Sequence, residues 1–224
     1  MLRADAEDPP ANTHSPDREA ETSRRSTRLG LILRTLGTLC LVAALAVGGY
    51  MGWQLWGTGI GTAREQKHLR QEITEQIARP RPLDPQTNQP IRPIREGAPV
   101  GIIKIPRINL DMVVVSGTRS ADLKKGPGHY IDSALPWEDS GKVAIAGHRT
   151  TYRAPFGALD KLRPGDLIQL VTEHGTFDYR VTDSRVILPS GVWVLKQTSE
   201  PTLVLTTCTP RFSASHRLVI FASR

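Results

Sequence analysis

Cys208 is one of two cysteines in the 224-residue sequence, the other being Cys40. It ends an apolar, β-branched run, and a polar turn with a proline separates it from a second short run that carries Arg217 near its start. This pattern predicts two strands joined by a turn, with a thiol at the end of the first strand. A thiol in that position is suited to nucleophilic chemistry.

A nucleophilic cysteine needs a base or a cationic group nearby, because the thiolate is the reactive form. The candidate partners are His129, His148, His174, His216 and Arg217. His148 follows a predicted strand and a glycine, so a rigid element would aim it into the rim of the domain. His174 lies between a glutamate and a glycine, which predicts a solvated hairpin turn.

His216 and Arg217 are adjacent on a predicted strand and therefore face opposite sides of the sheet. Only one of them can share the face of Cys208. If Arg217 points inward to the thiol, His216 is a solvated surface residue.

Two interpretations remain open from the residues alone. In the first, Cys208, His148 and Arg217 form a site that attacks a carbonyl, returns a proton to a leaving amine and stabilises the oxyanion, with backbone N–H groups as alternative oxyanion donors. In the second, the thiol is buried and inert, and the chain is a non-catalytic, membrane-anchored β-domain that binds cell-wall or protein partners.

The composition excludes several classes of protein. Two cysteines cannot build a multi-disulfide framework or an all-cysteine metal site. The acidic residues of the outer domain are scattered, so we predict no metal and no other cofactor. The net charge is +7, and arginines lie on both sides of an uncharged apolar segment, which favours an anionic membrane surface over nucleic acid as the partner.

The amino-terminal part of the chain predicts a membrane anchor. Residues 1–34 are polar and predict a disordered cytoplasmic tail, whereas residues 35–57 carry no charge and are long enough to form a transmembrane helix. A cleaved signal peptide is the alternative, but apolar character continues well past the small residues at 44–46. Arginines are denser before the segment than after it, so we expect a single-pass protein with a cytoplasmic amino terminus and an extracellular carboxyl-terminal domain.

Residues 58–97 predict a juxtamembrane helix and a proline-rich linker. Leu69, Ile73 and Ile77 recur at four-residue spacing within the predicted helix at 64–79. The prolines that follow could form an extended stalk of roughly 60 Å, at ~3.1 Å per residue of polyproline II, or an ordinary linker.

Residues 98–224 predict one all-β domain. Short β-branched runs separated by turns indicate eight strands in a sandwich or a closed barrel, with short helices near 121–125 and 156–162. The runs lie at residues 100–105, 110–115, 142–146, 166–171, 176–181, 184–188, 202–207 and 218–221.

Three motifs in this domain resemble the signature of the sortases, the cysteine transpeptidases of Gram-positive cell surfaces. They are LTTC at 205–208, the later Arg217, and AGHR at 146–149. The doubled threonine, the Thr-Pro after the cysteine and GPGHY at 126–130 are most similar to class E sortases of actinobacteria. One departure is Val204, which stands where many sortases have threonine.

The resemblance implies an eight-stranded sortase-type β-barrel over residues 98–224. It further implies that Cys208 is the nucleophile, His148 the general acid and base, and Arg217 the group that holds the substrate and stabilises the oxyanion. The enzyme would cleave a sorting motif of the Leu-Ala-X-Thr-Gly or Leu-Pro-X-Thr-Gly type between Thr and Gly through a thioacyl intermediate.

The resemblance also implies the partners and the substrate contacts. Tyr130, Thr206 and Thr207 would bind the sorting motif, although Tyr130 could equally be a core aromatic residue. The donors would be surface proteins that carry the motif, the acceptor an amine of a lipid II-type cell-wall precursor, and the membrane the site of action, with no role for nucleic acid.

Overall fold

The computed structural model describes residues 16–53 and 57–224. The chain forms two compact units, one ending at Tyr50 and the other beginning at Met51. The two units are described separately below.

Helix α1 runs from Pro16 to Gly52. Its segment Leu33–Gly52 is long and apolar enough to cross a membrane, with a mean hydropathy of 1.6. Residues 16–34, for which the sequence predicted disorder, are therefore helical, while residues 1–15 lie outside the described part of the chain. Proline suits the first turn of a helix, and the Arg, Glu and Ala residues that follow it have high helix propensity.

Helix α2 runs from Thr58 to Ala78, and so begins earlier than the predicted start at residue 64. Leu69 and Ile73 are buried and pack against Ile102 and Val113 of the barrel. The four-residue spacing thus marks a helix face that is docked on the barrel wall.

The proline-rich segment after α2 lies against the same domain. The backbone N–H and Nε of Arg81 donate to the Glu173 carboxylate at 2.7 and 2.6 Å. Asn88 Nδ2 donates to the backbone carbonyl of Trp137 at 3.1 Å. These contacts fold the segment onto the barrel, so the extended-stalk interpretation is wrong.

Eight strands form a closed barrel in the order β1-β2-β3-β4-β7-β8-β6-β5, which confirms the predicted fold class. The strands are β1 Pro99–Ile105, β2 Leu110–Ser116, β3 Gly128–His129, β4 Lys142–Ala146, β5 Leu167–Thr172, β6 Gly175–Ile187, β7 Thr202–Thr209 and β8 His216–Ser223. The β2–β3 and β4–β7 pairs are parallel, and the others are antiparallel.

Two strand predictions differ from the structure. The predicted strands at 176–181 and 184–188 are one continuous strand, β6, which stays in the sheet across a register shift between Val181 and Asp183. Strand β3 was missed because two residues are too short to show a hydrophobic period.

The predicted short helices are present. Helix α3 covers Ser120–Leu123, and a 3₁₀ turn covers Leu159–Lys161. A further 3₁₀ turn, Val192–Leu195, lies in the connection between β6 and β7.

Strand β7 is buried on both of its faces. Leu203 and Leu205 point into the main core, whereas Val204 packs with Val194 and Val219 in a second apolar cluster. Side chains alternate along a strand, so Cys208 lies on the face of Val204. The thiol therefore belongs to the surface next to the Val192–Leu195 turn, and the valine that departs from the sortase pattern packs beneath that turn.

Candidate active site

Cys208 and Arg217 are direct neighbours across the antiparallel pair β7–β8. Residues opposite each other in such a pair point to the same face of the sheet, so the thiol and the guanidinium share one surface. His216 pairs with Thr209 and faces the other way, as the sequence predicted. Cys208 is half-buried, and both cysteines are free.

The Arg217 guanidinium is held by the turn between β7 and β8. Its Nη1 donates to the backbone carbonyls of Ala214 at 2.9 Å and His216 at 3.1 Å. These two bonds keep the cation at the end of the barrel that carries Cys208.

The parallel pair β4–β7 carries His148 to the same end of the barrel as Cys208. The last paired residues are Ala146 and Thr206, and His148 and Cys208 each follow by two residues in the same direction. Two hydrogen bonds extend the contact past the strand end: Gly147 N–H donates to Thr206 O at 3.0 Å, and Thr207 Oγ1 donates to Gly147 O at 2.7 Å.

The His148 ring is enclosed. Its Nε2 is buried and has no hydrogen-bond partner among the described residues. The Tyr152 ring lies over it, with ring centroids 4.9 Å apart. Burial lowers the pKa of His148, and the positive charge of Lys124 lowers it further. The neutral imidazole, which can accept a proton, is therefore favoured at neutral pH.

Gly147 is required at its position by the packing beneath it. A Cβ at this residue would lie 2.6 Å from Cδ2 of Phe156, whose side chain is fully buried. Only glycine lets the chain pass this close to the ring before it presents His148.

Arg149 braces the end of β7. Its buried guanidinium donates from Nη1 to Thr209 Oγ1 at 2.8 Å, and its Nη2 lies 3.3 Å from the Asp160 carboxylate. The sequence placed Arg149 in the AGHR motif without a role. Its position directly after His148 was the only available signal, because its partners are distant in sequence.

Tyr130 and Thr206 lie together on the face that carries Cys208. The Tyr130 hydroxyl is 3.5 Å from Thr206 Oγ1, and both residues line a cavity of about 80 Å³ that also borders Arg217 and Val219. Tyr130 also packs against the second apolar cluster, so it is both a cavity wall and a partly buried aromatic residue.

Thr207 differs from the other two residues for which substrate contact was predicted. It is 2% exposed, and its hydroxyl is bonded to Gly147 O. It also alternates with Thr206 and Cys208 along β7 and so faces away from their surface. This geometry favours a structural role for Thr207 over contact with substrate.

The remaining candidate histidines have contacts elsewhere in the barrel. His129 is buried, with Nε2 2.9 Å from Ala134 O. His174 is packed edge-on against Trp137 at 4.5 Å between ring centroids, so the prediction of a solvated turn residue was wrong. Trp137 packs on this turn but is distant from it in sequence, so no local pattern could predict the contact. In the described ranges, no group of three or more His, Cys, Asp or Glu residues could hold a metal ion.

Comparison with known proteins agrees with this geometry. The sortase domain family model matches residues 103–224. Sortase D of Bacillus subtilis is 31% identical over 192 residues, covering 82% of this chain and 94% of its own length. Sortase SrtE1 of Streptomyces coelicolor is 27% identical over 211 residues, covering 88% of this chain and 56% of that longer protein.

Solved structures give the same result. A Clostridium perfringens sortase D5 transpeptidase superposes with a TM-score of 0.62 at 28% identity, covering 71% of this chain and 98% of its own. Sortase E1 of Streptomyces coelicolor, solved with a tripeptide in its active site, gives a TM-score of 0.53 at 29% identity, covering 57% of this chain and 88% of its own. The relatives include both class D and class E proteins, so the comparisons support the family without favouring class E. The chain belongs to the sortase family of cysteine transpeptidases.

Proposed function

We propose that this sortase cleaves a sorting motif of the Leu-Ala-X-Thr-Gly or Leu-Pro-X-Thr-Gly type between Thr and Gly and transfers the acyl group to an amine of a cell-wall precursor. The observation that supports the proposal is the placement of Cys208, Arg217 and His148 by strand register. Two strand registers, β7–β8 and β4–β7, bring the three residues to one end of the barrel.

In the first half of the reaction, neutral His148 accepts the thiol proton of Cys208, and the resulting thiolate attacks the threonine carbonyl carbon. The Arg217 guanidinium stabilises the negative charge that develops on the carbonyl oxygen, as a fixed cation does best in a site with little water. The C–N bond to glycine then breaks, and protonated His148 donates its proton to the leaving amine. A thioester on Cys208 remains.

In the second half, the acceptor amine attacks the thioester carbon. His148, now neutral, accepts the proton of the attacking amine, and the C–S bond breaks to release the thiolate. The new amide joins the threonine of the surface protein to the precursor. The lowered pKa of His148 supports this step, because it favours the neutral form of the ring.

The cavity beside the site suits an apolar part of the motif. It borders Tyr130, Thr206 and Val192, and Val192 is 70% exposed at its rim. At about 80 Å³ the cavity is the size of one small aliphatic side chain rather than of a pentapeptide. The rest of the motif would lie along the open surface, toward Cys208 and Arg217.

We also propose that α1 anchors the enzyme in the membrane with its amino terminus in the cytoplasm. The apolar segment Leu33–Gly52 supports the anchor, and the arginines that precede it support the orientation. Thiol labelling of full-length protein in intact cells with a membrane-impermeant reagent tests the orientation, since Cys208 should react from outside.

Capture of a Leu-Ala-X-Thr-Gly peptide tests the reaction. The wild-type enzyme should form a covalent adduct of the enzyme and the Leu-Ala-X-Thr fragment, detectable by mass spectrometry, and should release the glycine portion. Cys208→Ala should form no adduct. Undiminished capture by that variant would rule out the thioacyl mechanism.

A further inference from the structure

The loop that follows His148 has an unusual backbone. Tyr152, Arg153 and Ala154 all have positive φ angles, of 53°, 63° and 44°. Residues other than glycine adopt this left-handed region at a cost, and such conformations persist only where the surrounding structure imposes them. The loop therefore needs external contacts to keep this shape.

The first turn of α2 supplies those contacts. The Thr58 hydroxyl accepts a hydrogen bond from Tyr152 N–H at 3.3 Å. A Cβ at Gly59 would lie 3.6 Å from Cγ of Arg153, so the helix backbone approaches the loop closely. These contacts hold two of the three left-handed residues.

Helix α2 is itself firmly attached to the barrel. Thr62 Oγ1 donates to Lys124 O at 2.8 Å. The Gln66 amide makes three bonds: Nε2 donates to Val113 O and Lys125 O, and Oε1 accepts from Val113 N–H. The first turn of α2 is thus a fixed support for the loop rather than a loose chain end.

Packing alone does not fix Tyr152. A cavity of about 670 Å³, bordered by Thr58, Lys124 and Tyr152, gives the side chain space away from His148. In the structure its ring nevertheless lies over the His148 ring at 4.9 Å. The hydrogen bond from Tyr152 N–H to Thr58 constrains the backbone from which this ring projects.

We propose that Tyr152 is a positioning residue for His148 and that the first turn of α2 holds it in place. The role of His148 in this inference rests on the proposed function. Tyr152 encloses the imidazole and restricts its orientation toward Cys208, so the helix outside the barrel helps to set the geometry of the general acid and base.

Variants of the full-length chain test the role of the Tyr152 ring. Tyr152→Ala should lower kcat for peptide transfer by roughly 10- to 100-fold with KM unchanged, because a misplaced catalytic group slows the chemical step. Tyr152→Phe keeps the ring and should restore kcat. Turnover is expressed per folded molecule, with the folded fraction measured by circular dichroism, so a loss of folded protein does not imitate the effect.

Three variants of α2 test the support. Thr58→Ala should lower kcat less than Tyr152→Ala does, and Thr58→Ser should retain wild-type kcat because its hydroxyl can still accept the bond. Thr74→Ala is the matched control, since the Thr74 hydroxyl donates to Arg70 O of its own helix. Equal kcat for Thr58→Ala and wild type would remove α2 from the proposal.

Titration of the His148 ring by NMR tests the same contact without turnover. The titratable and charged groups around the ring are Lys124, Tyr152 and, in strand register, Cys208. Tyr152→Ala should expose the imidazole and raise its pKa, while Tyr152→Phe should leave it at the wild-type value.

These measurements separate the two proposals. A wild-type protein that titrates as expected but transfers no peptide would contradict the proposed function and leave the Tyr152 contact standing. Wild-type kcat and an unchanged His148 titration in Tyr152→Ala would overturn the positioning role. Equal losses in Tyr152→Ala and Tyr152→Phe would overturn it as well, because the hydroxyl rather than the ring would then matter.

Discussion

The Thr207 hydroxyl donates a 2.7 Å hydrogen bond to the backbone carbonyl of Gly147, and so joins the residue before Cys208 to the residue before His148. The bond is fully buried and links strands β7 and β4 just past their last paired residues. It fixes the separation of the two chain segments that carry the proposed nucleophile and the proposed general acid and base.

Replacing Thr207 by valine should therefore impair catalysis through the scaffold. The change keeps the side-chain shape but leaves the Gly147 carbonyl without its partner, at a cost of about 1–3 kcal/mol in the free energy of unfolding. We expect a lower kcat with KM unchanged, measured by peptide transfer and denaturant unfolding. Thr207→Ser should behave like wild type. A higher KM in Thr207→Val would support the substrate contact that the sequence predicted.

Gly147→Ala should be more damaging than a typical glycine substitution. The added methyl group would lie 2.6 Å from the Phe156 ring, which is fully buried. Overpacking of this kind costs about 1–3 kcal/mol, and relief by a shift of the chain would displace His148. Thermal unfolding and kcat should both fall. Gly61→Ala is the control, because a Cβ at Gly61 would meet nothing within 4 Å. Gly165→Ala does not serve this purpose, because the φ of 91° at Gly165 would itself strain an alanine.

Arg217→Ala should lower kcat by about 10²–10³-fold, the loss typical of removing a group that stabilises an oxyanion. Arg217→Lys retains the charge but not the fork of donors, so it should recover only part of the rate. Arg185→Ala is the control, since Arg185 is exposed and paired with Asp183 on β6. An increase in KM with kcat unchanged would limit the role of Arg217 to substrate binding.

His148→Ala should stop turnover, whereas His216→Ala should largely spare it. The register pairs His216 with Thr209, on the face away from the thiol, and its Nδ1 lies 3.0 Å from Ser215 Oγ. Single-turnover kinetics with the same peptide measure both variants. Comparable losses of turnover in the two variants would contradict the conclusion, drawn from strand register, that His216 faces away from Cys208.

Stability should fall as the pH drops below neutrality. Burial lowers the pKa of His129, while its hydrogen bond to Ala134 opposes the shift. The folded pKa is then below the unfolded value of about 6.5, so the unfolded state binds more protons and the contribution of His129 is lost as the pH falls from that value through the folded pKa. Thermal unfolding of the full-length protein between pH 7.5 and 5.5 measures the slope.

His129→Gln should flatten that pH dependence, and His68→Gln should not, because His68 is exposed on α2. Burial also lowers the pKa of His148 and His174, so part of the slope should remain in His129→Gln. A slope unchanged by His129→Gln would contradict the assignment.

The sequence by itself determined which residues are candidates for the chemistry and where they lie along the chain. A lone cysteine after a β-branched run, an arginine at the start of the next run and a histidine after a third are local patterns, and strand alternation was enough to separate Arg217 from His216. The uncharged segment at 35–57 likewise predicted a helix of membrane-spanning length, because hydropathy and length are read directly from residue types.

Only the tertiary structure decided which residues support that chemistry. The pairing of Thr207 with Gly147, the docking of α2 through Leu69 and Ile73, and the contact of Thr58 with Tyr152 join segments that lie far apart in sequence. Such contacts depend on barrel closure and on register, which no local period encodes. The same reason explains why the proline-rich segment, which is extended by local preference, lies folded against the barrel.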